Sequence, residues 1–341
     1  MKVLIVTDNL YPELGGSFKA ITDTNKILSE NSKFKSRIVI KSNGKFKKKL
    51  DLFFLIKSFD IIHYFGGWSF FHLKVLILSF LLKKKTIITP MGIYEKWSLT
   101  QKKIKKKISL NLYQKFILNR VNAIHVTSES EKESLKTICS NKNIIKIPHG
   151  TNKIAIQKKK IFQGKKKKAL FFSRLHKKKG ISELVETWLK IDNSEWELHI
   201  YGPDYDNFKK KINEKIKKNK SILLFEPVFK NKDKIFQDYD LFILPSKSEN
   251  FGYVILEAMQ FGLPVLTTNS TPWQIIEKKN VGWIIDSDLK DMESNLKNIL
   301  SLSKEEFEKR SINAINFSEE FFWDRIQNRY FELYQGIYRH D

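Results

Sequence analysis

The chain has 341 residues, 41% of them hydrophobic, and carries 62 Lys and Arg against 37 Asp and Glu, a formal net charge of +25. This composition excludes a disordered or fibrous chain, and the length predicts about two domains, each with its own core. Because Cys139 is the only cysteine, an intramolecular disulfide and a thiolate zinc site are excluded, and a reducing cytoplasm is the simplest setting.

The apolar segments predict neither a signal peptide nor a membrane span. The first residues turn polar after a short apolar run, which is typical of a first β-strand rather than a signal peptide. The most lipid-like run, residues 68–82, contains His72 and Lys74 and is shorter than the roughly 20 residues that a spanning helix needs. We therefore expect a buried or half-buried helix there, and a cytoplasmic protein.

The positive charge is concentrated in the first half of the chain. Residues 1–150 hold 28 Lys and Arg and 10 Asp and Glu (+18), whereas residues 151–341 hold 34 and 27 (+7). A basic face predicts an anionic partner, which would be anionic lipid headgroups, nucleic acid or a phosphorylated substrate. The alternative is a compositional bias without a partner, although a uniform bias should have charged both halves alike.

Short apolar runs alternate with longer amphipathic stretches from end to end, which predicts an α/β fold with parallel sheets covered by helices. The break between two groups of runs lies around 148–167, where a Lys-rich stretch has the composition of a solvated linker. We expect two Rossmann-like, doubly wound domains facing a cleft. The predicted strands are 2–6, 37–41, 60–64, 86–89, 123–127 and 144–147, then 168–172, 196–201, 221–225, 240–244, 263–267 and 282–285.

The predicted domains are residues 1–150, a linker at 151–167, a second domain at 168–317 and a terminal helix at 318–341. Ser318 is the N-cap candidate of that helix, and acidic residues follow in its first turn. Its aromatic side chains recur at helical spacing. We expect Trp323 and Tyr334 to pack in a core rather than to bind a ligand, with the helix crossing back to the first domain.

Ligands of doubly wound sheets bind beyond the carboxyl ends of the strands, so the residues that follow predicted strands are the site candidates. Gly15 and Gly16 follow the first strand and precede a helix, which would let an anionic ligand approach the backbone. A plain turn and helix cap is the alternative. Met91 and Gly92 follow the strand at 86–89, where the residues alone indicate only a strand end with turn chemistry.

The loop after the strand at 168–172 contains Arg174 and Lys179 and leads into a helix that Gly180 opens. A diphosphate requires such groups, because a guanidinium binds two oxygens at once and an ammonium neutralises a third. Lysine is common in this chain, so Arg174 is the more informative of the two. We predict that this loop binds a diphosphate.

The loop after the strand at 240–244 contains Glu249, and Glu257 lies one to two turns into the helix that begins near Gly252. These carboxylates would grip different parts of one polar ligand. Apolar residues flank Glu257, and a half-buried carboxylate needs donors such as ribose hydroxyls. An exposed glutamate on a helix surface is the alternative.

Together these motifs resemble the retaining, nucleotide-sugar-dependent glycosyltransferases of family 4, also called group 1, which have the two-domain GT-B fold. The most specific match is SENFGYVILEAM, with two glutamates seven residues apart. The resemblance covers essentially the whole chain. Supporting segments occur in family order: YPELGG, DIIHYFGGW, TPMGIYEKWSL, HVTSESEKESL, IPHG, FSRLHKKKG, YGPD, DLFILPS, GLPVLTT and TPW.

The resemblance implies roles for individual residues. It implies that Arg174, Lys179 and Glu249 carry the catalytic site, with the two cations on the donor diphosphate and Glu249 on the donor sugar. It implies that Glu257 holds the ribose hydroxyls. The remaining donor-binding residues that it implies are Gly15 and Gly16 near the phosphates, Asn250, Phe251 and Gly252 at the sugar-phosphate, and Glu226, Pro227 and Val228 beside the base.

No Asp-x-Asp cluster occurs at the predicted site, and the resemblance also implies metal independence. We therefore expect no metal and no cofactor, with the two cations stabilising the leaving diphosphate in place of a metal. Retention of anomeric configuration is implied by the family alone. The chain departs from the family at Met91, where many relatives have His or Arg, and at Phe65, where many have the second His of His-x-His. His63, Met91 and Gly92 are acceptor-side candidates, and a packed strand-end histidine is the alternative for His63.

The resulting hypothesis is a cytoplasmic glycosyltransferase that moves a sugar from a UDP- or GDP-sugar to a glycan or lipid-linked glycan, in bacterial surface polysaccharide or lipopolysaccharide synthesis. The basic first domain suggests a peripheral position on the inner face of an anionic membrane. The alternatives are a catalytically degenerate GT-B protein that binds a partner, and a basic nucleic-acid-binding protein. The latter lacks a binding motif, so no nucleic-acid partner is expected.

Overall fold

The structure is a computed structural model that describes residues 1–41, 49–101, 103–154, 161–205, 207–216, 219–229 and 232–339. It divides into two compact units. One consists of Met1–Asn152 together with Phe321–Asp341, and the other of Lys153–Glu320. Residues 155–160 of the predicted linker lie outside the described residues.

The first unit is built on a parallel sheet with the strand order β2-β1-β3-β4-β5-β6. All neighbouring strands run parallel. Every residue of β3 is buried, as expected for a strand covered by helices on both faces. The strands are β1 (Lys2–Thr7), β2 (Lys35–Ile40), β3 (Ile61–Phe65), β4 (Lys85–Thr89), β5 (Ala123–Val126) and β6 (Ile144–Lys146).

Helices connect these strands, because a parallel crossover must return the chain to the same edge of the sheet. A π-helical turn (Leu110–Gln114) joins two of them into one continuous segment. The helices are α1 (Gly16–Glu30), α2 (Lys49–Lys57), α3 (Phe70–Leu81), α4 (Lys96–Thr100), α5 (Lys103–Ser109), α6 (Lys115–Arg120) and α7 (Glu129–Lys136).

The second unit repeats the architecture with the strand order β12-β11-β10-β7-β8-β9. Its strands are also parallel. The strands are β7 (Lys167–Phe172), β8 (Trp196–Tyr201), β9 (Ile222–Phe225), β10 (Leu241–Leu244), β11 (Val265–Thr268) and β12 (Gly282–Ile285). The helices are α8 (Ile181–Trp188), α9 (Phe208–Ile216), α10 (Asp233–Phe236), α11 (Tyr253–Gln260), α12 (Ile275–Lys278), α13 (Met292–Leu300) and α14 (Lys304–Ser318).

The predicted fold class is confirmed. Within the described ranges each predicted strand is present, its ends within two residues of the prediction, and the strands form two six-stranded parallel sheets. Apolar β-branched runs identified the central strands because strands such as β3, β5, β10 and β11 are buried on both faces. No helix of the described ranges has the length and apolar content needed to cross a membrane.

The last helix, α15 (Trp323–Arg339), belongs to the first unit. Trp323 and Tyr334 are buried in it, as predicted. The predicted N-cap is wrong, however, because Ser318 is the last residue of α14 and its hydroxyl donates to the carbonyl of Ile315 (2.7 Å). A 3-10 turn (Glu319–Phe321) then separates the two helices.

The run 68–82 forms α3, a half-buried helix as predicted, on which Phe70, Ile77 and Leu81 are exposed. One other expectation differs from the structure. In the Lys-rich segment before β7, Ile161 is buried and the backbone N–H of Phe162 donates to Asp240. Composition identified the lysines as solvated but gave no signal for the two apolar residues that pack beneath them.

Candidate functional site

The strand order of the second unit defines where a ligand binds. The chain proceeds outward from β7 through β8 to β9, and then returns to β10 on the other side of β7. In such sheets the crevice at the carboxyl ends of the two strands flanking this reversal is the usual ligand site. The loops after β7 and β10 contain the sequence-predicted residues Arg174, Lys179 and Glu249.

The loop after β7 is held in shape by close backbone contacts. The carbonyl of Ser173 lies where a Cβ on Gly202 would be, 1.8 Å away, so only glycine permits this approach. The backbone N–H of Leu175 donates to Pro203 (2.9 Å). Arg174 is exposed between these contacts, with its guanidinium carbon 5.9 Å from the centre of the Tyr205 ring. Within the described residues, that guanidinium has no hydrogen-bond or ion-pair partner.

Lys179 ends a short 3-10 turn (Lys177–Lys179) and is buried. The following residue, Gly180, adopts a left-handed conformation (φ 67°) and caps α8. A side chain there would also meet the carbonyl of Pro245 at 2.2 Å. Glycine is therefore required at this position, and it fixes the direction in which Lys179 enters the interior.

Lys179 and Glu249 form a buried ion pair in which the ammonium donates to Oε1 of the carboxylate. Burial alone would raise the pKa of Glu249. The charges of Lys179 and Lys178 and hydrogen bonds from Lys179 and Ser246 outweigh that effect and lower the pKa. Glu249 is thus an anion at neutral pH, and the structure brings it together with one of the two predicted diphosphate-binding cations.

Glu257 lies on α11, whose N-cap is Gly252 (φ 74°). Its Oε2 atom is buried and accepts no hydrogen bond from any described residue, and the ammonium of Lys232 is 3.6 Å away. That ammonium also lies 5.6 Å from the ring centre of Phe172, at the end of β7. A buried carboxylate oxygen with unused acceptor capacity is costly, and a hydroxyl donor of a ligand would satisfy it.

Trp273 packs against the segment between Glu249 and Glu257. Its indole N–H donates to the carbonyl of Phe251 (2.5 Å), and the two rings pack with centroids 5.3 Å apart. Asn250 is half-buried and lies in the turn that leads to the α11 N-terminus. The turn with Asn250, Phe251 and Gly252 is therefore positioned directly before the helix amides, where an anion is stabilised.

Glu226, Pro227 and Val228 follow β9, next to β8. Glu226 is exposed and pairs with Lys209 on α9, while Pro227 and Val228 are half-buried. Beside them, Phe225 stacks on Tyr201 with centroids 4.6 Å apart and an angle of 4°. These residues thus lie at the same carboxyl edge as the ion pair, two strands away from β7.

In the first unit, Gly15 is the N-cap of α1 and Gly16 its first residue. A Cβ on Gly15 would meet no atom within 4 Å, so space is open above this turn. Met91 has a left-handed backbone (φ 61°), which is uncommon for a side chain of this kind. Gly92 donates its N–H to Glu131 (2.7 Å), and this contact holds the turn.

His63 is fully buried and both of its ring nitrogens are hydrogen-bonded, Nδ1 to Tyr334 (2.6 Å) and Nε2 to Thr89 (2.7 Å). Thr89 in turn contacts His125 (2.8 Å), whose Nε2 donates to the carbonyl of Ile147 (2.8 Å). The carbonyl of Ile147 can only accept, so His125 donates to it, Thr89 donates to His125, His63 donates to Thr89, and Tyr334 donates to His63. In this arrangement each of the two histidines is neutral. His63 is therefore a packed strand-end histidine, and neither of its ring nitrogens is left for a ligand.

Several contributors were missed by the sequence reasoning. Lys178 acts on the pKa of Glu249, and Lys232 approaches Glu257. Lysines are too common in this chain to single these out. Glu131 had a usable signal, since it stands three residues after the N-cap Ser128 in a capping-box pattern. Its carboxyl is fully buried, which raises its pKa to about 7 against hydrogen bonds from Gly92 and Thr127.

The second-unit site can therefore bind an anion next to hydroxyl groups. Lys179 and the exposed Arg174 supply positive charge, the α11 N-terminus supplies amides, and Glu257 supplies an unused acceptor. In the described parts of the chain, no three His, Cys, Asp or Glu side chains cluster in a way that could hold a metal ion.

Comparison with known proteins agrees with this architecture. The crystal structure of Anabaena Alr3699/HepE in complex with UDP-glucose superimposes with a TM-score of 0.80 at 16% identity, covering 98% of this chain and 100% of that one. A Klebsiella pneumoniae "Uncharacterized 41.2 kDa protein in cps region" is 26% identical over 62% of this chain and 61% of its own length. A Xanthomonas oryzae GDP-mannose:cellobiosyl-diphosphopolyprenol alpha-mannosyltransferase is 26% identical over 48% and 46%. The chain thus covers less than two thirds of either relative.

The paired parallel sheets and this structural likeness define a protein of the GT-B fold. The sequence match narrows this fold class to one family. Residues 152–316, a little under half of the chain, match the family described as Glycosyl transferases group 1, and this match confirms the resemblance predicted from the motifs.

Proposed function

We propose that the protein is a glycosyltransferase that moves a sugar from a UDP- or GDP-sugar to a glycan or lipid-linked glycan, with retention of anomeric configuration. The observation that carries the proposal is the buried Oε2 of Glu257, which accepts no hydrogen bond from the described residues and lies on the helix that follows the loop of Glu249. An acceptor in that position calls for a ligand with hydroxyl donors as well as an anionic group. A sugar nucleotide combines both.

In this proposal Arg174 and Lys179 bind the diphosphate, Glu249 contacts the donor sugar and Glu257 accepts from the ribose hydroxyls. The bond from the anomeric carbon to the phosphate oxygen breaks, the bond to the acceptor hydroxyl oxygen forms, and the hydroxyl proton goes to the leaving diphosphate. Negative charge grows on that diphosphate, so fixed cations lower the barrier. The same cations make the proposed reaction metal-independent, and retention rests on the family resemblance.

The proposed pathway is bacterial surface polysaccharide or lipopolysaccharide assembly at the inner face of the cytoplasmic membrane. The relatives support this. The Klebsiella relative is described by its place in a cps region, and the Xanthomonas relative by a diphosphopolyprenol-linked acceptor and GDP-mannose. The Anabaena neighbour was solved with UDP-glucose, which is why both bases are retained in the proposal.

A thermal-shift titration with UDP, GDP, ADP and their common sugar conjugates tests the donor site. We expect one base to raise the melting temperature of the wild type. Glu257→Gln should weaken the binding of that nucleotide ten- to a hundredfold, which is the effect of one lost hydrogen bond to a charged group. Arg174→Ala should weaken the binding of the nucleotide diphosphate by at least the same factor.

Glu277→Gln is the matched control, because Glu277 is an exposed helical glutamate of the same unit; it should leave the titration unchanged. If no nucleotide shifts the melting temperature, or if Glu257→Gln titrates like the wild type, the donor-site proposal fails. Binding without sugar transfer or hydrolysis would instead favour the catalytically degenerate alternative.

A further inference from the structure

A line of large apolar side chains is exposed on the continuous segment formed by α5, the π-turn and α6. Exposed fractions are 76% for Ile104, 59% for Ile108, 77% for Leu112 and 56% for Phe116. Single exposed apolar residues are ordinary on protein surfaces, but four in register are not. We call this segment, together with the end of α3, the basic helical surface.

The spacing of these four residues keeps them on one side of the segment. Four residues of α-helix overshoot a full turn by about 40°, so an i, i+4 series drifts around a regular helix. The wider π-turn at Leu110–Gln114 lies in the middle of the series and reduces this drift. Meanwhile Ile117 and Leu118 on α6 are buried in the core. The segment therefore has one face toward the core and an apolar strip elsewhere on its surface.

The strip is surrounded by positive charge. Between Asp60 and Glu129 the only acidic residue is Glu95, which is buried, whereas this stretch contains one Arg and many Lys. Several of these cations form no salt bridge among the described residues, namely Lys83, Lys103, Lys105, Lys107, Lys115 and Arg120. Uncompensated cations beside exposed apolar side chains are complementary to an anionic surface with an apolar interior.

A pocket of about 340 Å³ lies at the end of this surface, where α3 and α6 meet. Phe80 and Phe116 form its apolar part, and the guanidinium carbon of Arg120 is 5.1 Å from the Phe116 ring centre. The polar part consists of Lys83, Lys84, Lys85, Arg120 and Asn122. Four cations and two rings, without an acid among the lining residues, suit a phosphate attached to a hydrocarbon chain.

The helix α3 continues this character beside the pocket. Leu81, two residues before the first lysine of the pocket, is exposed, as are Ile77 one turn earlier and Phe70 at the helix start. At that end, the ammonium of Lys106 on α5 lies 5.8 Å from the ring centre of Trp68. Apolar residues are thus exposed both on α3 and on the segment from α5 to α6.

We propose that the basic helical surface docks on an anionic lipid bilayer, with Ile104, Ile108, Leu112 and Phe116 entering the headgroup boundary and a lipid phosphate occupying the pocket between α3 and α6. A nucleic acid would leave the apolar strip uncovered, whereas a bilayer offers anionic phosphates and hydrocarbon together over an extended surface. The inference deepens the proposed function, on whose lipid-linked acceptor it rests, by naming the membrane-facing surface.

Flotation with phosphatidylcholine vesicles, with and without phosphatidylglycerol, tests the surface. The wild type should partition at least tenfold more strongly into the anionic vesicles, and added salt should weaken this binding. Ile108→Ser with Leu112→Ser should reduce binding at least tenfold. Lys83→Glu with Arg120→Glu should do the same, since each cation near a charged surface contributes roughly fivefold.

Ile275→Ser with Ile312→Ser is the matched control, because both residues are exposed isoleucines of the second unit; vesicle binding should stay unchanged. All variants are surface changes and should melt within a degree or two of the wild type. Glycerol phosphate in solution separates a headgroup in a bilayer from a free phosphate: it should compete poorly, and full competition would overturn the proposed bilayer docking.

The proposal is overturned if the wild type does not prefer anionic vesicles, or if both pairs of substitutions leave flotation unchanged. Its failure is distinguishable from failure of the proposed function. Nucleotide titration of the Ile108/Leu112 and Lys83/Arg120 variants should match that of the wild type, since Arg174, Lys179, Glu249 and Glu257 all lie in the second unit. If the protein binds anionic vesicles but no nucleotide, the membrane-docking proposal stands and the proposed glycosyltransferase function fails.

Discussion

At the scale of single residues, the Lys179–Glu249 pair is the part of the site most sensitive to change. Both side chains are buried. Removing one partner of a buried pair leaves the other charge unpaired in a low-dielectric setting, which costs several kcal/mol. We therefore expect Lys179→Met to lower the free energy of unfolding at pH 7 by on the order of 3 kcal/mol, as measured by urea denaturation.

The sign of the pH effect follows from the lowered pKa of Glu249. A carboxyl whose pKa is lower in the folded state adds stability above its unfolded pKa, and loses it as the pH falls through the folded pKa. The gap between wild type and Lys179→Met should thus shrink in acid. Lys297→Met, which breaks an exposed pair with Glu293, is the control and should have little effect. Equal losses in both variants would contradict the role of burial.

At the scale of secondary-structure elements, the strands were predictable and the polar contacts between elements were not. Apolar runs located β7 and β10, and turn residues located the loops that follow them, because both signals are local. His63 meets Tyr334 across 271 positions, and Lys179 meets Glu249 across 70. Such pairings depend on strand order, which the residues alone do not contain. The family motif identified both members of the second pair, but not their contact.

The buried histidines that attach α15 to the sheet predict a pH-dependent stability. Burial lowers the pKa of His125 to about 4, partly offset by its hydrogen bond to Ile147. Burial also lowers the pKa values of His63 and His149. Between about 4 and 6.5 the unfolded chain binds more protons, so stability falls as the pH falls. For His125 alone we expect about 2 kcal/mol between pH 7 and pH 5, measured by urea denaturation at each pH.

Glu131 provides a control of opposite sign. Burial raises its pKa to about 7, so its folded form binds more protons than the unfolded chain and gains stability as the pH falls from 7 to about 4.5. Glu131→Gln removes this gain, and its loss of stability in acid should be steeper than that of the wild type. His125→Gln should be less steep. Identical slopes in all three proteins would refute the assignment.

At the scale of the whole molecule, the chain builds two sheets of the same architecture and assigns them different chemistry. The second unit, Lys153–Glu320, contains the buried ion pair and the unused carboxylate oxygen of Glu257. The first unit contains the excess of positive charge and the exposed apolar strip. Composition predicted this asymmetry of charge. It did not predict the apolar strip, because exposure of a hydrophobic residue has no local signal in the sequence.

Because the C-terminal helix belongs to the first unit, we expect the stability of that unit to depend on it. The helix α15 buries Trp323, Ile326, Tyr330, Leu333, Tyr334 and Ile337 in the first unit. At about 1.5–3 kcal/mol for each side chain, their burial rivals the stability of a typical domain. Truncation after Glu320 should therefore unfold the first unit and leave the second folded. Hydrogen exchange should show lost protection in β1 and β3 but retained protection in β7 and β10, whereas truncation after Arg339 should change neither. Loss of protection in both sheets would mean that the second unit does not fold independently, because α15 with its buried side chains belongs to the first.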